Sequence, residues 1–328
     1  MMTQTKRAVV LLQLGGPDSL NAVEPFLYNL FCDPDIIDIP GAFLFRKALA
    51  RLISSRRAPK VQELYKRIGR RSPILKQTQL QARRLSEALQ ASGNPMEVLI
   101  AMRYWHPMTE EIVRTLVEKN IEEVILLPLY PHFSKATTGS SVNEWNRVTR
   151  ALHAHSIRTK VVKEYFDHPL YINALVSNIN RALARVPAAD RSKVQLVFSA
   201  HGTPMKLVCD GDPYSHHIRK TYERVVEKGN FNLPHLLCFQ SKVGPQKWLE
   251  PSLTGTIERL AHEKVSHVVV IPIAFVSDHI ETLSEINMEA KDEAKKLGIK
   301  YFDMMPALLT HPSFIACLKD LTLSSLEK

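Results

Sequence analysis

Asp278, Glu281, Glu285 and Glu289 are three and four residues apart, and a helix starting near Ser277 or Asp278 stacks them on one face with His279 at its head. Like charges at this spacing each destabilise a helix by about 0.2–0.5 kcal/mol. A stripe of four therefore calls for a cation or a basic partner. Carboxylate oxygens joined by one imidazole suit a hard or borderline divalent metal that is held and then released. The same spacing also fits a capping box, with Asp278 as N-cap, Glu281 at the third helical position, and Glu285 and Glu289 solvated. Within this segment both readings stand.

The segments that must position such a stripe alternate in type. Apolar or β-branched runs at Ala8 to Leu14, Val98 to Met102, Glu123 to Leu129, Thr159 to Lys163, Val194 to Ser199, Leu236 to Phe239, His267 to Ile273 and Lys300 to Phe302 read as strands. Helix-period stretches separate most of them: Gln79 to Ala91, Thr109 to Lys119, Tyr171 to Arg185, Ser215 to Lys228 and Ile286 to Leu297. The order implies an α/β chain with parallel sheets.

The two halves also echo each other. Val10-Leu-Leu-Gln-Leu-Gly-Gly-Pro17 is answered by Val197-Phe-Ser-Ala-His-Gly-Thr-Pro204, and Glu123-Val-Ile-Leu-Leu-Pro-Leu-Tyr130 by His267-Val-Val-Val-Ile-Pro-Ile-Ala274. Between these pairs, the strands ending in Arg103-Tyr104 and Ser241-Lys242 correspond. Three matched elements in one order predict two similar lobes, 1–165 and 166–328. In open parallel sheets, ligands bind beyond the carboxyl ends of the strands. Those ends carry Gly15-Gly16, Arg103-Tyr104 and Tyr130 in the first lobe, and His201, Gln240-Ser241-Lys242 and Asp278-His279-Glu281 in the second. The expectation is a cleft with one acidic, histidine-bearing wall and one basic, aromatic wall.

Composition narrows the class. The 328 residues are 45% hydrophobic, enough to bury a substantial core, and 43 Lys+Arg against 33 Asp+Glu leave a formal charge of +10 that favours an anionic partner. Cys32, Cys209, Cys238 and Cys317 are scattered without a Cys-x-x-Cys spacing, which reads as reduced, cytosolic thiols with no zinc or Fe–S site. The amino-terminal stretch runs into a strand without a cleavable small-residue site, and no apolar run reaches the roughly 18 residues of a spanning helix.

From Pro25 to Ile53, Phe26, Leu27, Leu30, Phe31, Ile36, Ile37, Ile39, Phe43, Leu44, Phe45, Leu49, Leu52 and Ile53 are dense, and Arg46, Lys47, Arg51, Arg56 and Arg57 are interspersed or follow. This reads as an apolar lip that touches a bilayer and holds an apolar ligand, or as two core helices.

Several motifs exclude functions. Gly15-Gly16-Pro17 lacks the dinucleotide fingerprint, and Ser199 in Phe198-Ser-Ala-His201-Gly lacks the nucleophile elbow. A lone histidine such as His201 at a strand end is more often structural than catalytic. Thr138-Gly-Ser-Ser141 is expected to supply a helix N-cap at Ser140 or Ser141. Arg56-Arg57 and Arg70-Arg71 have too few interleaved aromatics for a nucleic-acid surface, so no nucleic-acid partner is expected.

Taken together the segments resemble the ferrochelatases, which insert Fe2+ into a porphyrin. The resemblance runs through Leu11-Leu-Gln-Leu-Gly-Gly-Pro17, Ile68-Gly-Arg-Arg-Ser-Pro-Ile74, Arg103-Tyr-Trp-His-Pro107, Tyr130-Pro-His-Phe-Ser134 with Thr138-Gly-Ser-Ser141, and Phe198-Ser-Ala-His201. It continues through Gln240-Ser-Lys-Val-Gly-Pro245 with Trp248-Leu249 and Ser277-Asp-His-Ile-Glu-Thr-Leu283. It implies two Rossmann-like lobes with the porphyrin in the cleft between them, the metal site in the second lobe and the lip, about residues 25–53, in the first.

By position, the resemblance makes His201 the group that takes pyrrole protons or binds iron and Glu281 its partner carboxylate, with Asp278, His279 and Glu285 along the metal path. Arg103 and Tyr104 match residues on the opposite face of the macrocycle. Arg57, Tyr65, Ser72 and Lys242 match positions associated with the propionates, and Leu14 and Trp248 match pocket walls. Tyr130 joins the substrate contacts. Gly69-Arg-Arg-Ser-Pro73 departs from the frequent Gly-Gly-Gly-Ser-Pro, and Gly202-Thr203 from the frequent Ser-Leu.

The implied reaction converts protoporphyrin IX and Fe2+, both substrates, to protohaem, the final step of haem biosynthesis. No permanently bound cofactor is expected, and no [2Fe–2S] cluster, because the cysteine-rich extension of cluster-bearing members is absent. A cytoplasmic protein in peripheral contact with the membrane is the matching expectation. The alternatives are a coproporphyrin III ferrochelatase, a cobalt chelatase and, from another class, a non-catalytic tetrapyrrole or metal carrier. The lip favours protoporphyrin over the tetracarboxylate coproporphyrin III. A carrier would need the pocket but no proton acceptor.

Overall fold

The computed structural model describes residues 5–36, 45–242 and 246–327. The chain divides into two compact units. One comprises the residues up to Glu164 together with those from Ile315 on, and the other comprises Tyr165–Phe314. The last helix thus begins in the second unit while its residues from Ile315 group with the first, unlike the uninterrupted 166–328 lobe expected from the sequence.

In the first unit the order is β1 (Arg7–Gln13), α1 (Val23–Cys32), α2 (Arg46–Arg67), α3 (Ile74–Ala91), β2 (Glu97–Met102), α4 (Thr109–Glu118), β3 (Glu123–Pro128), α5 (Ser140–Ala151) and β4 (Arg158–Val161). Its sheet is parallel, in the order β2-β1-β3-β4. The second unit repeats the pattern with α6 (Pro169–Arg185), β5 (Val194–His201), α7 (Met205–Cys209), α8 (Tyr214–Gly229), β6 (His235–Gln240), α9 (Leu253–His262), β7 (His267–Pro272), α10 (Lys291–Lys296), β8 (Tyr301–Met304) and α11 (Pro312–Leu326). Its parallel sheet has the order β6-β5-β7-β8. The echo in the sequence is therefore an echo in topology, strand for strand.

A second correspondence is invisible in composition. A π-helical segment, Lys135–Gly139, lies between β3 and α5, and a longer one, Glu281–Ala290, lies between β7 and α10.

The central strands follow from their residues. β3 and β7 are buried along their whole length, as continuous apolar runs in parallel sheets must be when helices cover both faces. Glu123 at the head of β3 is tolerated there because Arg7 and Lys160 reach it at 2.7 and 3.4 Å. Alternate residues of β1, Ala8, Val10 and Leu12, pack with Ile112 and Leu116 of α4 and Trp145 of α5. In the second unit Val197, Val268 and Val270 pack with Leu253, Ile257 and Leu260 of α9.

In both sheets the strand order reverses direction beside the first strand, between β1 and β3 and between β5 and β7. Side chains at the carboxyl ends of those strands face the natural ligand crevice of such a sheet. Among the described residues no helix is long and apolar enough to cross a membrane.

The 25–53 segment is divided. Phe26, Leu27 and Phe31 of α1 are core, whereas Phe45 and Leu52 are 68% and 46% exposed. The remaining apolar positions from Ile37 to Leu44 lie outside the described residues.

Candidate active site

The carboxyl end of β5 places His201 at the reversal point of the second sheet. Glu281 comes from the first turn of the π-helix after β7, and its Oε2 lies 2.7 Å from His201 Nδ1. This is the bond that decides between the two readings of the acidic stripe. The Glu281 carboxylate faces His201, and the capping box is not formed. Instead the His279 amide donates to Thr282 Oγ1 at 3.1 Å, and Thr282 Oγ1 donates to Asp278 Oδ1 at 3.3 Å.

Burial and the pair's mutual charge act against each other on both partners. Burial alone would raise the Glu281 carboxyl, but the charge and hydrogen bond of His201 win and hold it down to about 2. Burial pulls His201 down, and Glu281, helped by Glu285, reverses this to a net rise. Glu281 is therefore an acceptor only, so His201 carries its proton on Nδ1 and leaves Nε2 as the free basic nitrogen when the ring is neutral.

Glu285, one π-turn on, is pushed up to about 7 by burial and by the Glu281 charge, with the Ser241 hydroxyl donating to it at 2.5 Å as a partial offset. Burial lowers His279 and raises Asp278. Glu289 is exposed and accepts from Ser284 Oγ at 3.2 Å.

His201 is fixed from behind. The buried Tyr214, at the start of α8, donates its hydroxyl to the His201 carbonyl at 3.0 Å. The next residue must be glycine, because a Cβ on Gly202 would lie 2.9 Å from the Gln240 carbonyl and 3.4 Å from the Trp248 ring. Trp248 is half-buried, with its indole N–H buried and without a hydrogen-bond partner. Lys242 is exposed and 3.8 Å from Glu250. Of the five expected metal ligands the structure joins His201 and Glu281 directly. Among the described residues no three His, Cys, Asp or Glu side chains converge as a metal cage.

In the first unit the strand ends hold a different arrangement. Asp33, fully buried just past α1, accepts from the Tyr104 hydroxyl at 2.5 Å, from Ser140 Oγ, and pairs with Arg103 at 3.0 Å. Arg103 also donates to Ser140 at 2.8 Å and lies over the Tyr104 ring. Ser140 is therefore a member of this buried cluster and not a helix cap; the capping serine is Ser134, which accepts from the Ala136 amide at 3.2 Å. Tyr104 is completely buried, and burial together with Asp33 pushes its phenol well above the usual range.

The Tyr130, Thr138 and Ser141 hydroxyls are buried without a hydrogen-bond partner, and burial raises the Tyr130 phenol despite nearby Ser141 and Arg103. Leu14 is half-buried and its carbonyl accepts from the Tyr104 amide at 3.0 Å. Ser72 packs against Gly16, where a Cβ would meet its Oγ at 2.5 Å. Tyr65 is buried within α2, and the exposed Arg57 lies over the Phe31 ring at 5.5 Å.

Sequence reasoning missed Asp33 and Tyr214. Asp33 sits in Asp33-Pro-Asp35 after an apolar helix, with no local mark of its role, and Tyr214 reaches His201 only because α8 folds back beside β5.

A duplicated parallel α/β unit with a histidine–carboxylate pair at a strand reversal point defines a chelatase-like protein. Solved structures agree on the fold: SirB from Bacillus subtilis with Fe3+ superposes with a TM-score of 0.59 at 13% identity, covering 98% of this chain and 96% of that one. The sequence model described as Ferrochelatase matches residues 6–326. Among curated relatives, a ferrochelatase of Geotalea uraniireducens is 48% identical across 96% of this chain and 97% of its own. One from Aquifex aeolicus is 44% identical across 96% and 98%. The chain belongs to the ferrochelatase family.

Proposed function

We propose that this protein inserts Fe2+ into protoporphyrin IX, releasing two protons and forming protohaem, the last chemical step of haem biosynthesis. Family membership over nearly the whole chain supports the reaction class, and the His201–Glu281 pair at the end of β5 carries the chemistry. A porphyrin must lose both pyrrole protons as the metal enters. Neutral His201 offers Nε2 to a pyrrole N–H, and Glu281 stabilises the imidazolium that results. Glu285, poised near neutrality one π-turn away, is suited to pass the proton on towards exposed Glu289. Asp278, His279 and Glu285 are assigned to ferrous iron, as weak ligands that replace its water without trapping it.

The first unit is assigned the apolar lip and part of the porphyrin surface, and the second unit the metal chemistry. Leu14, Ser72, Arg103, Tyr130, Lys242 and Trp248 remain the proposed contacts for the macrocycle and its propionates, and Arg57 requires its guanidinium to leave the Phe31 ring. Tyr65 and Tyr104, being buried, are assigned to shaping those contacts. The protein is placed in the cytoplasm, in peripheral contact with the membrane.

His201→Ala is expected to bind protoporphyrin and fail to metallate it. Anaerobic absorbance assays with Fe2+ or Co2+ and with protoporphyrin IX or coproporphyrin III test both this and the choice of substrate. Near-parental turnover by folded His201→Ala protein would overturn the reading, and preferred metallation of coproporphyrin III would replace the substrate.

A further inference from the structure

α2 ends in a turn that carries two exposed arginines, Arg70 and Arg71. Gly69, with φ of 100°, already terminates the helix, and the Arg70 amide closes the cap by donating to the Tyr65 carbonyl at 2.7 Å. Arg70 itself stays left-handed, with φ of 66°, a conformation that disfavours every side chain relative to glycine. An arginine held where glycine is easier points to a use for its charge.

The turn is tied to the loop that follows β1. The Ser72 amide donates to the Pro17 carbonyl at 2.8 Å, Gln62 Nε2 of α2 donates to the Leu20 carbonyl at 3.0 Å, and Ser72 packs directly on Gly16. The two segments thereby wall a surface depression, with Arg70 and Arg71 on one side and Asp18, Ser19 and Asn21 on the other. Two arginines against one aspartate leave it cationic. Among the described residues neither guanidinium has a carboxylate within ion-pair distance. Other cations of the first unit assigned to the porphyrin are already engaged, since Arg57 lies over the Phe31 ring and Arg103 pairs with the buried Asp33. The unpaired positive charge next to Ser72 is that of Arg70 and Arg71.

We propose that Arg70 and Arg71 form a carboxylate clamp at the rim of the porphyrin site, which captures a propionate arm beside Ser72. Gly15 and Gly16 lie just past the carboxyl end of β1, where the strand order reverses and the ligand crevice of such a sheet opens. Ser72 sits on that loop, so the two arginines before it stand at the crevice rim. A propionate is a carboxylate on a flexible arm at the edge of the macrocycle, and a guanidinium fork can take both of its oxygens. Asp18, on the opposite wall, repels a carboxylate and biases it towards the arginines. The inference rests on the porphyrin-binding reading of this site and adds to it two residues that stand where the family frequently has glycine.

The test is fluorescence titration of the full chain, without metal, with protoporphyrin IX and with its dimethyl ester, followed by metallation kinetics. The parent is compared with Arg70→Gly, Arg71→Gly and the double variant. The double variant is expected to lose about tenfold in affinity for the diacid, because its two exposed contacts are partly screened, and to bind the ester within about twofold of the parent. KM should rise in step while kcat holds, because a grip on a remote arm acts equally in the ground and transition states. Raised salt should weaken diacid binding by the parent more than by the double variant. Arg70→Gly should melt no lower than the parent, since glycine relieves the left-handed φ, so its loss of affinity is not a loss of fold.

Parental affinity of the double variant for the diacid, or an equal loss for diacid and ester, would overturn the clamp. Binding is read without iron, so the two readings fail separately. A parent that grips the diacid through these arginines and yet fails to metallate it would refute the chelatase reading and leave the clamp standing. A parent that metallates, beside a double variant with parental Kd and KM, would refute the clamp alone.

Discussion

Glu281→Gln keeps the shape of the side chain and removes its charge, so it tests the His201 pair directly. Moving a carboxyl from 4.5 to about 2 corresponds to about 3 kcal/mol of interaction. The His201 side chain is 38% exposed and water screens part of that, so a coupling of about 1–2 kcal/mol is expected. Its pH window follows from the two shifts. The Glu281 contribution is present above 4.5 and is lost as pH falls from there towards about 2. The His201 contribution is full below 6.5 and is lost as pH rises through its higher folded value.

Between 4.5 and 6.5 the parent should therefore exceed Glu281→Gln in stability by the full coupling, and the gap should shrink on both sides. Urea denaturation at several pH values measures the gap, and titration of nitrogen-labelled histidine by NMR should show the His201 midpoint falling in the variant. With its base weakened, kcat for metallation should drop about tenfold or more while KM for the porphyrin holds. An unchanged His201 midpoint, or a stability gap independent of pH, would refute the pairing.

Glu285→Gln should have the opposite signature. Because the folded carboxyl is raised from 4.5 to about 7, its ionisation weakens the fold as pH rises, so the variant should be about 1–3 kcal/mol more stable than the parent at pH 8 and equal at pH 4, as read by thermal melts. Tyr104→Phe removes one of three groups holding Asp33 and should cost about 1.5–3 kcal/mol in urea denaturation. An unchanged midpoint would mean that Arg103 and Ser140 suffice. Tyr214→Phe frees the His201 carbonyl and should lower kcat with little change in KM, at a stability loss of about 0.5–1.5 kcal/mol. Parental kcat would reduce Tyr214 to a packing residue.

The eight strands among the described residues could all be placed from the sequence: the central ones are marked by apolar runs, as Val268-Val-Val-Ile271 shows, and the half-exposed edge strands β4 and β8 by short β-branched or aromatic stretches after a helix. Strand order could not be read directly, yet the echo between the halves anticipated that both sheets would match. The site was legible in parts and for different reasons. Spacing alone left Glu281 between a cap and a partner, and only the family resemblance paired it with His201, 80 residues away. Four-residue spacing suits an α-turn and a π-turn nearly alike, so the helix type was hidden. Asp33 bonds to groups 71 and 107 residues distant, and no local pattern announces such a contact. α2 was ambiguous because its apolar residues are neither all buried nor all exposed.

The π-helix has a consequence for how this region tolerates change in length. Its bonds span five residues instead of four, so it holds a residue more than an α-turn would need. Losing one residue between Glu281 and Glu285 lets the backbone relax into ordinary helix, leaving the fold almost untouched while rotating Glu285 away from Ser241 and Glu281. A substitution here changes one side chain, whereas a deletion redirects the side chains inside the π-helical turn while Ala294 of α10 keeps its place in the core. The segment is a counting device, and the number of residues in it carries as much chemical information as their identity.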